Sequence, residues 1–137
     1  MTPELALQKA VRARLIATAA VTDLVPAASV LDRNERPAPS PSIVIGEGQS
    51  IDEGDAISRN LTRAYADLHV WKQEPSLEGV KAIAGAIRAA IKSQQLAKVD
   101  GFHFVDSYVR SARFLRDPDG EMSHAIVTIS ALVQELS

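Results

Sequence analysis

The chain has no cysteine. That excludes disulfide scaffolds, thiol nucleophiles, iron–sulfur clusters and cysteine-ligated zinc, and nothing points to an oxidising compartment. Aromatic residues make up 4% of the sequence and hydrophobic residues 46%, so the core must be packed from Ala, Val, Leu and Ile. There is no excess of one charge: 15 Lys and Arg against 17 Asp and Glu give a formal net charge of −2. Wholesale electrostatic binding to nucleic acid needs a clearly basic domain, so only a local basic stripe stays open. No apolar run approaches the ~20 residues of a membrane helix. Met1-Thr2-Pro3-Glu4 places an acid where a secretory signal would be basic. The expectation is a soluble protein kept inside a cell, or packaged there into something larger. Its 137 residues suit one domain over 1–137 that buries roughly two-thirds of its unfolded surface without a structural metal.

An opening helix is expected, with Thr2 as N-cap, Pro3 in the first helical position and Glu4 at the positive end of the dipole. Leu7, Val11 and Leu15 form its apolar stripe, and it fades between Thr18 and Val25 before Pro26. Pro37, Pro39 and Pro41 then remove ladder donors, so Leu31–Pro41 reads as a loop, led by a short strand at Ser29–Leu31. Ser42–Gly46 reads as a short strand and Glu47–Leu61 as a solvated connection. The acids Asp52, Glu53 and Asp55 in that connection invite a calcium reading. An EF-hand loop closes with Glu about twelve positions on, however, and Arg63 stands there instead.

Thr62–Lys72 is a strand with two unlike faces. Ala64, Ala66, Leu68 and Val70 suit a packed helix, whereas Tyr65, Asp67, His69 and Trp71 suit water or a partner. A second helix starts at Glu74-Pro75-Ser76, capped by Ser76 or Glu74, and runs through Leu77, Val80, Ile83, Ala84, Ile87 and Ile91. Gly85 lies beside that stripe, where it would allow close approach to the sheet. Asp100-Gly101 turns the chain. Phe102–Arg116 and Met122–Leu136 then flank Asp117-Pro118-Asp119-Gly120, forming a long hairpin with Gly at the left-handed turn position. Fifteen extended residues span about 50 Å at ~3.3 Å each, more than the ~40 Å width of a compact body of this length. The strands must therefore coil, bulge or project.

The fold expected is α+β: an antiparallel sheet of about four to five strands, two helices on one face, and the C-terminal hairpin. The other face would carry Tyr65, Trp71, Ile126 and Leu132, an apolar patch of the kind that marks self-association. Catalytic patterns are lacking. His69, His103 and His124 form no HExxH pair, although strand pairing can bring two of them together. No G-x-S-x-G elbow, dinucleotide fingerprint or phosphate loop is present. No catalytic residue, cofactor or metal ligand is assigned. Arg110, Arg113 and Arg116 recur toward the hairpin tip, and a spacing of three does not hold them on one strand face.

Three blocks carry a family resemblance. The run Asp67-Leu68-His69-Val70-Trp71-Lys72 with the helix after it, and Arg113-Phe114-Leu115-Arg116-Asp117-Pro118-Asp119-Gly120 with Ser123-His124, are the main two. A third is Pro41-Ser42-Ile43-Val44-Ile45-Gly46. In order and spacing the chain resembles small phage tail-completion and tail-terminator proteins, including the siphophage tail-to-head joining type and its gene transfer agent equivalent. It departs from them at Ser42, where an aromatic is expected in many relatives.

The resemblance implies a non-enzymatic virion component assembled in the bacterial cytoplasm. It would form a ring, commonly a hexamer, that caps the head-proximal end of a tail tube, ends polymerisation and joins the tail to the neck protein. DNA would pass through the lumen unread. A stopper or adaptor of the head–tail connector is the neighbouring alternative, and a small-ligand-binding module the more distant one. The interface residues expected from face and loop placement are Tyr65, His69, Trp71, Arg110, Arg113, Arg116, Asp52, Glu53, Asp55 and Arg59.

Overall fold

A computed structural model describes residues 1–33, 39–52, 60–117 and 120–136. Helix α1 spans Pro3–Ile16 and opens as its sequence requires, with the Thr2 hydroxyl accepting from the Leu5 N–H. The fading region instead holds a second short helix, α2, at Ala19–Thr22, followed by a 3₁₀ turn at Ala27–Ser29. Thr18 is the reason: its extended backbone breaks α1 while its hydroxyl donates to the Arg14 carbonyl at 2.7 Å. Val21 and Val25 then drop fully into the core.

The strands are β1 (Val30–Leu31), β2 (Ser42–Asp52), β3 (Leu61–Gln73), β4 (Phe102–Arg116) and β5 (Met122–Glu135), with helix α3 (Glu78–Ser93) between β3 and β4. They form one sheet in the order β1-β2-β3-β5-β4. The sheet is mixed rather than wholly antiparallel, because β1 pairs parallel with β2. A parallel pair cannot be joined by a two-residue hairpin and needs a longer connection. Among the described residues the fold is thus α+β with five strands and three helices, not two.

The expected strand at 42–46 continues to Asp52. Residues 48–52 have little apolar character, yet they pair in register with Thr62–Ala66 of β3. The ladder with β3 defines the strand there, and hydrophobic patterning does not report it.

Alternation on β3 and β5 puts Leu68, Val70, Val127 and Ile129 on the helix side, where they meet Leu7, Val11 and Leu15 of α1 and Ile83, Ile87 and Ile91 of α3. Small residues at Ala64, Ala66, Ala125 and Ala131 let the helices lie close to the sheet. Gly85 does not serve that purpose, since it is exposed and a Cβ there would meet nothing within 4 Å. Helix α3 starts later than expected, with Leu77 as an N-cap that makes no side-chain cap bond. Ser76 and Glu74 stand before the cap yet still satisfy first-turn donors, Ser76 Oγ accepting from the Glu78 N–H at 3.0 Å and Glu74 Oε1 from the Gly79 N–H at 2.7 Å. Arg14 closes the far end, its guanidinium donating to the carbonyls of Ala90, Gln94 and Gln95 at 2.8–2.9 Å.

β4 resolves its excess length by bulging twice, between Phe104 and Asp106 and between Val109 and Ser111. Gly120 turns the chain toward β5 with φ +77°, its N–H donating to the Asp117 carbonyl at 2.8 Å.

Candidate functional site: the open face of the sheet

All three helices leave one sheet face uncovered, and strand register fixes what stands on it. From one end to the other the cross-strand rows read Ser42–Trp71–His124–Leu115, then Val44–His69–Ile126–Arg113, then Asp67–Thr128–Ser111, then Gln49–Tyr65–Ser130–Tyr108, then Ile51–Arg63–Leu132–Asp106. The expected apolar patch is therefore interrupted by polar residues. Trp71, Ile126 and Leu132 are half-buried, whereas Ile51, Tyr108 and Leu115 are exposed.

Specific polar contacts tie these rows together. Asp106, at the first bulge, accepts from the Leu132 N–H at 3.0 Å and from Arg63 at 2.9 Å, so the bulge that frees a ladder donor also supplies its acceptor. Thr128 donates to Asp67 at 2.6 Å. Arg110 reaches across β5 to lie 5.2 Å from the centre of the Tyr65 ring, a cation–π contact. These groups line a shallow depression of about 240 Å³ between Glu47, Gln49, Tyr65, Asp67, Arg110 and Thr128.

At the other end, His69 Nε2 lies 3.0 Å from Glu47 Oε2 and His69 Nδ1 lies 3.0 Å from His124 Nε2. The Trp71 indole stacks on the His124 ring with centroids 3.8 Å apart and planes 5° off parallel. Gly46 makes room for His69, because a Cβ there would come within 2.9 Å of the imidazole. Hydrogen bonding to His69 holds the Glu47 carboxyl below its ordinary range, aided by its own backbone N–H and by the charge of His69. Burial, then the charges of His69 and Arg113, push His124 down. The two histidine rings meet nearly head-on, with centroids 5.2 Å apart and planes 20° apart. The nitrogens thus point at each other, which makes a hydrogen bond and not a chelate. Among the described residues no three His, Asp or Glu side chains converge as a metal site.

The sequence-derived residues fall in four places. Tyr65, His69, Trp71 and Arg113 stand on the open face, and the second bulge brings Arg110 there as well. Arg116, opposite Ser123, has the parity of the helix face, and Asp52 ends β2. Glu53, Asp55 and Arg59 lie outside the described residues. Sequence reasoning missed Glu47, Arg63, Asp106 and Thr128. Glu47 reaches His69 across the β2–β3 pair, whereas Arg63–Asp106 and Thr128–Asp67 meet only through the non-sequential β3–β5 pairing. His69 and His124 do meet, as strand pairing allowed.

A chain of the virion of a native gene transfer agent particle superposes with a TM-score of 0.80 at 22% identity, covering 98% of this chain and 99% of that one. The gp17 protein of bacteriophage SPP1 gives 0.66 at 24% identity over 98% and 93%. No curated protein matches the chain. The family model described as tail completion protein gp17 matches residues 9–134. The chain is a member of that tail-completion family.

Proposed function

We propose that copies of this chain close into a ring, a hexamer, on the head-proximal end of a phage-like tail tube. The ring ends tube polymerisation and joins the tail to the neck protein, and DNA passes through it without base reading. The observation that carries this reading is the pair of unlike sheet edges. Beyond Val44 the outer side of β2 has no strand partner among the described residues, and this edge bears Glu47 and Asp52. The opposite edge is β4, which bears Arg110, Arg113 and Arg116.

An acidic edge and a basic edge on one sheet suit a heterologous contact, in which the same two patches repeat around an axis until the ring closes. In the strand order β2-β3-β5-β4 every step is antiparallel, so β2 and β4 run opposite ways. A copy rotated about an axis parallel to the strands would present its β2 antiparallel to the first copy's β4. Without a shift along the strands, Glu47 of one copy would face the Arg110–Arg113 region of the next.

On this reading Tyr65, His69, Trp71, Arg110, Arg113, Arg116 and Asp52 act at copy–copy or copy–tube contacts, together with Glu53, Asp55 and Arg59. Imaging of particles made without the chain tests the role. Overlong tails, or heads and tails left unjoined, are expected. Normal joined particles would refute it, and tails of correct length lacking only DNA retention would indicate a stopper instead.

A further inference from the structure

We propose that His69 and His124 form a one-proton latch on the open face: their contact, with Glu47 and Trp71, ties β2, β3 and β5 together, accepts one added proton and opens on the second. Hydrogen-bond accounting carries the argument. An ionised carboxylate only accepts, so in the neutral pair His69 Nε2 holds a hydrogen for Glu47. His69 Nδ1 is then bare, and the facing His124 Nε2 must hold the hydrogen between them. One added proton is accommodated without breaking either contact. It enters at His124 Nδ1, the shared hydrogen shifts to His69 Nδ1, and the positive charge rests beside Glu47. A second added proton puts N–H against N–H across 3.0 Å, and that contact cannot survive.

The surroundings oppose the second proton. The charged groups facing His124 are His69 from β3 and Arg113 from β4, and both disfavour its ionisation. Glu47 from β2 bonds the far nitrogen of His69, and Asp67 is engaged by Thr128. The Trp71 stack keeps His124 partly out of water. Acidification past the second proton therefore separates the two rings and alters the end of the face that carries Trp71 and Leu115. The latch rests on the geometry of one chain and is independent of the ring reading.

Trp71 is the only tryptophan and there are three histidines, so the full-length chain can be followed by imidazole NMR titration, Trp71 emission and far-UV circular dichroism together. The expected result is that His124 titrates below the ~6.5 of free imidazole. Trp71 emission should follow the His124 step, with secondary structure unchanged across it. In His69→Asn the His124 step should move to higher pH, because the repelling neighbour is gone. In His124→Asn the emission step should vanish. The latch is refuted if His124 titrates at or above free imidazole, if its midpoint ignores His69→Asn, if the emission step survives His124→Asn, or if the fold melts across the step.

Discussion

At the residue scale, polar side chains on the open face control how the protein responds to acid. His124 is held below the ordinary imidazole range in the folded chain, so the unfolded chain takes up that proton first as pH falls. Stability from this source is present above about pH 6.5 and is lost as pH falls through the folded value. Glu47 has its carboxyl lowered, and its contribution is lost in a more acidic window, below the ordinary carboxylate range. Urea midpoints measured from neutral to mildly acidic pH should therefore fall for the wild type and fall less for His124→Asn. Equal slopes would contradict the assignment.

Ser42 makes the opposite case. It is fully buried opposite Trp71, and its hydroxyl has no partner among the described residues. Ser42→Ala should raise stability by up to about 1 kcal/mol by removing an unsatisfied polar atom, as read by chemical denaturation. Alternation exposed Tyr65, His69 and Trp71 as one face of β3, and a resemblance block held Arg113, but the sequence could not expose Glu47. That residue reaches His69 only because a bulge between Ile45 and Gly48 shifts the strand, and a bulge leaves no mark in hydrophobic patterning.

At the element scale, the middle of α3 and its C-terminal end make different predictions. Gly85 faces solvent with nothing for a Cβ to strike, so Gly85→Ala should stabilise by about 1 kcal/mol on helix propensity. Arg14→Ala removes three donors from the carbonyls at the helix C-terminus and should cost about 2 kcal/mol. Arg14→Lys should restore only part of this, since an ammonium cannot fork across separate carbonyls. Thermal unfolding of the three variants ranks them directly.

Helices α1 and α3 were legible because each has an apolar stripe and a start signal. The second half of β2 was not, because an exposed strand of mostly polar residues looks like a polar loop. The parallel β1–β2 pair was also hidden, since it depends on where the chain returns after three prolines and not on the residues of either strand.

At the scale of the whole molecule, one sheet has helices on a single face, acidic residues on β2 toward one edge and basic residues on β4 at the other. Its membership of the tail-completion family was legible in the order of three sequence blocks. The rows of the open face became readable only once β3 and β5 were paired. If the edges join, Arg113→Glu should weaken assembly of the purified chain by at least about tenfold, the loss of a close charge pair plus new repulsion. Glu47→Lys combined with it should recover part of that loss, as read by sedimentation. Trp71→Ala should likewise impair incorporation into tailed particles.

The most direct measurement uses the absence of native cysteine. Gln49→Cys lies on β2 and Tyr108→Cys on β4, in one cross-strand row, with two strands between them in the same chain. That is about 14 Å of sheet, too far for an internal disulfide. Under oxidation, or with a short thiol-to-thiol linker, the double variant should give a ladder of covalent multimers ending at a closed ring, while neither single variant links. Dimers from a single variant, or an assembled ring whose double variant never links, would contradict edge-to-edge closure.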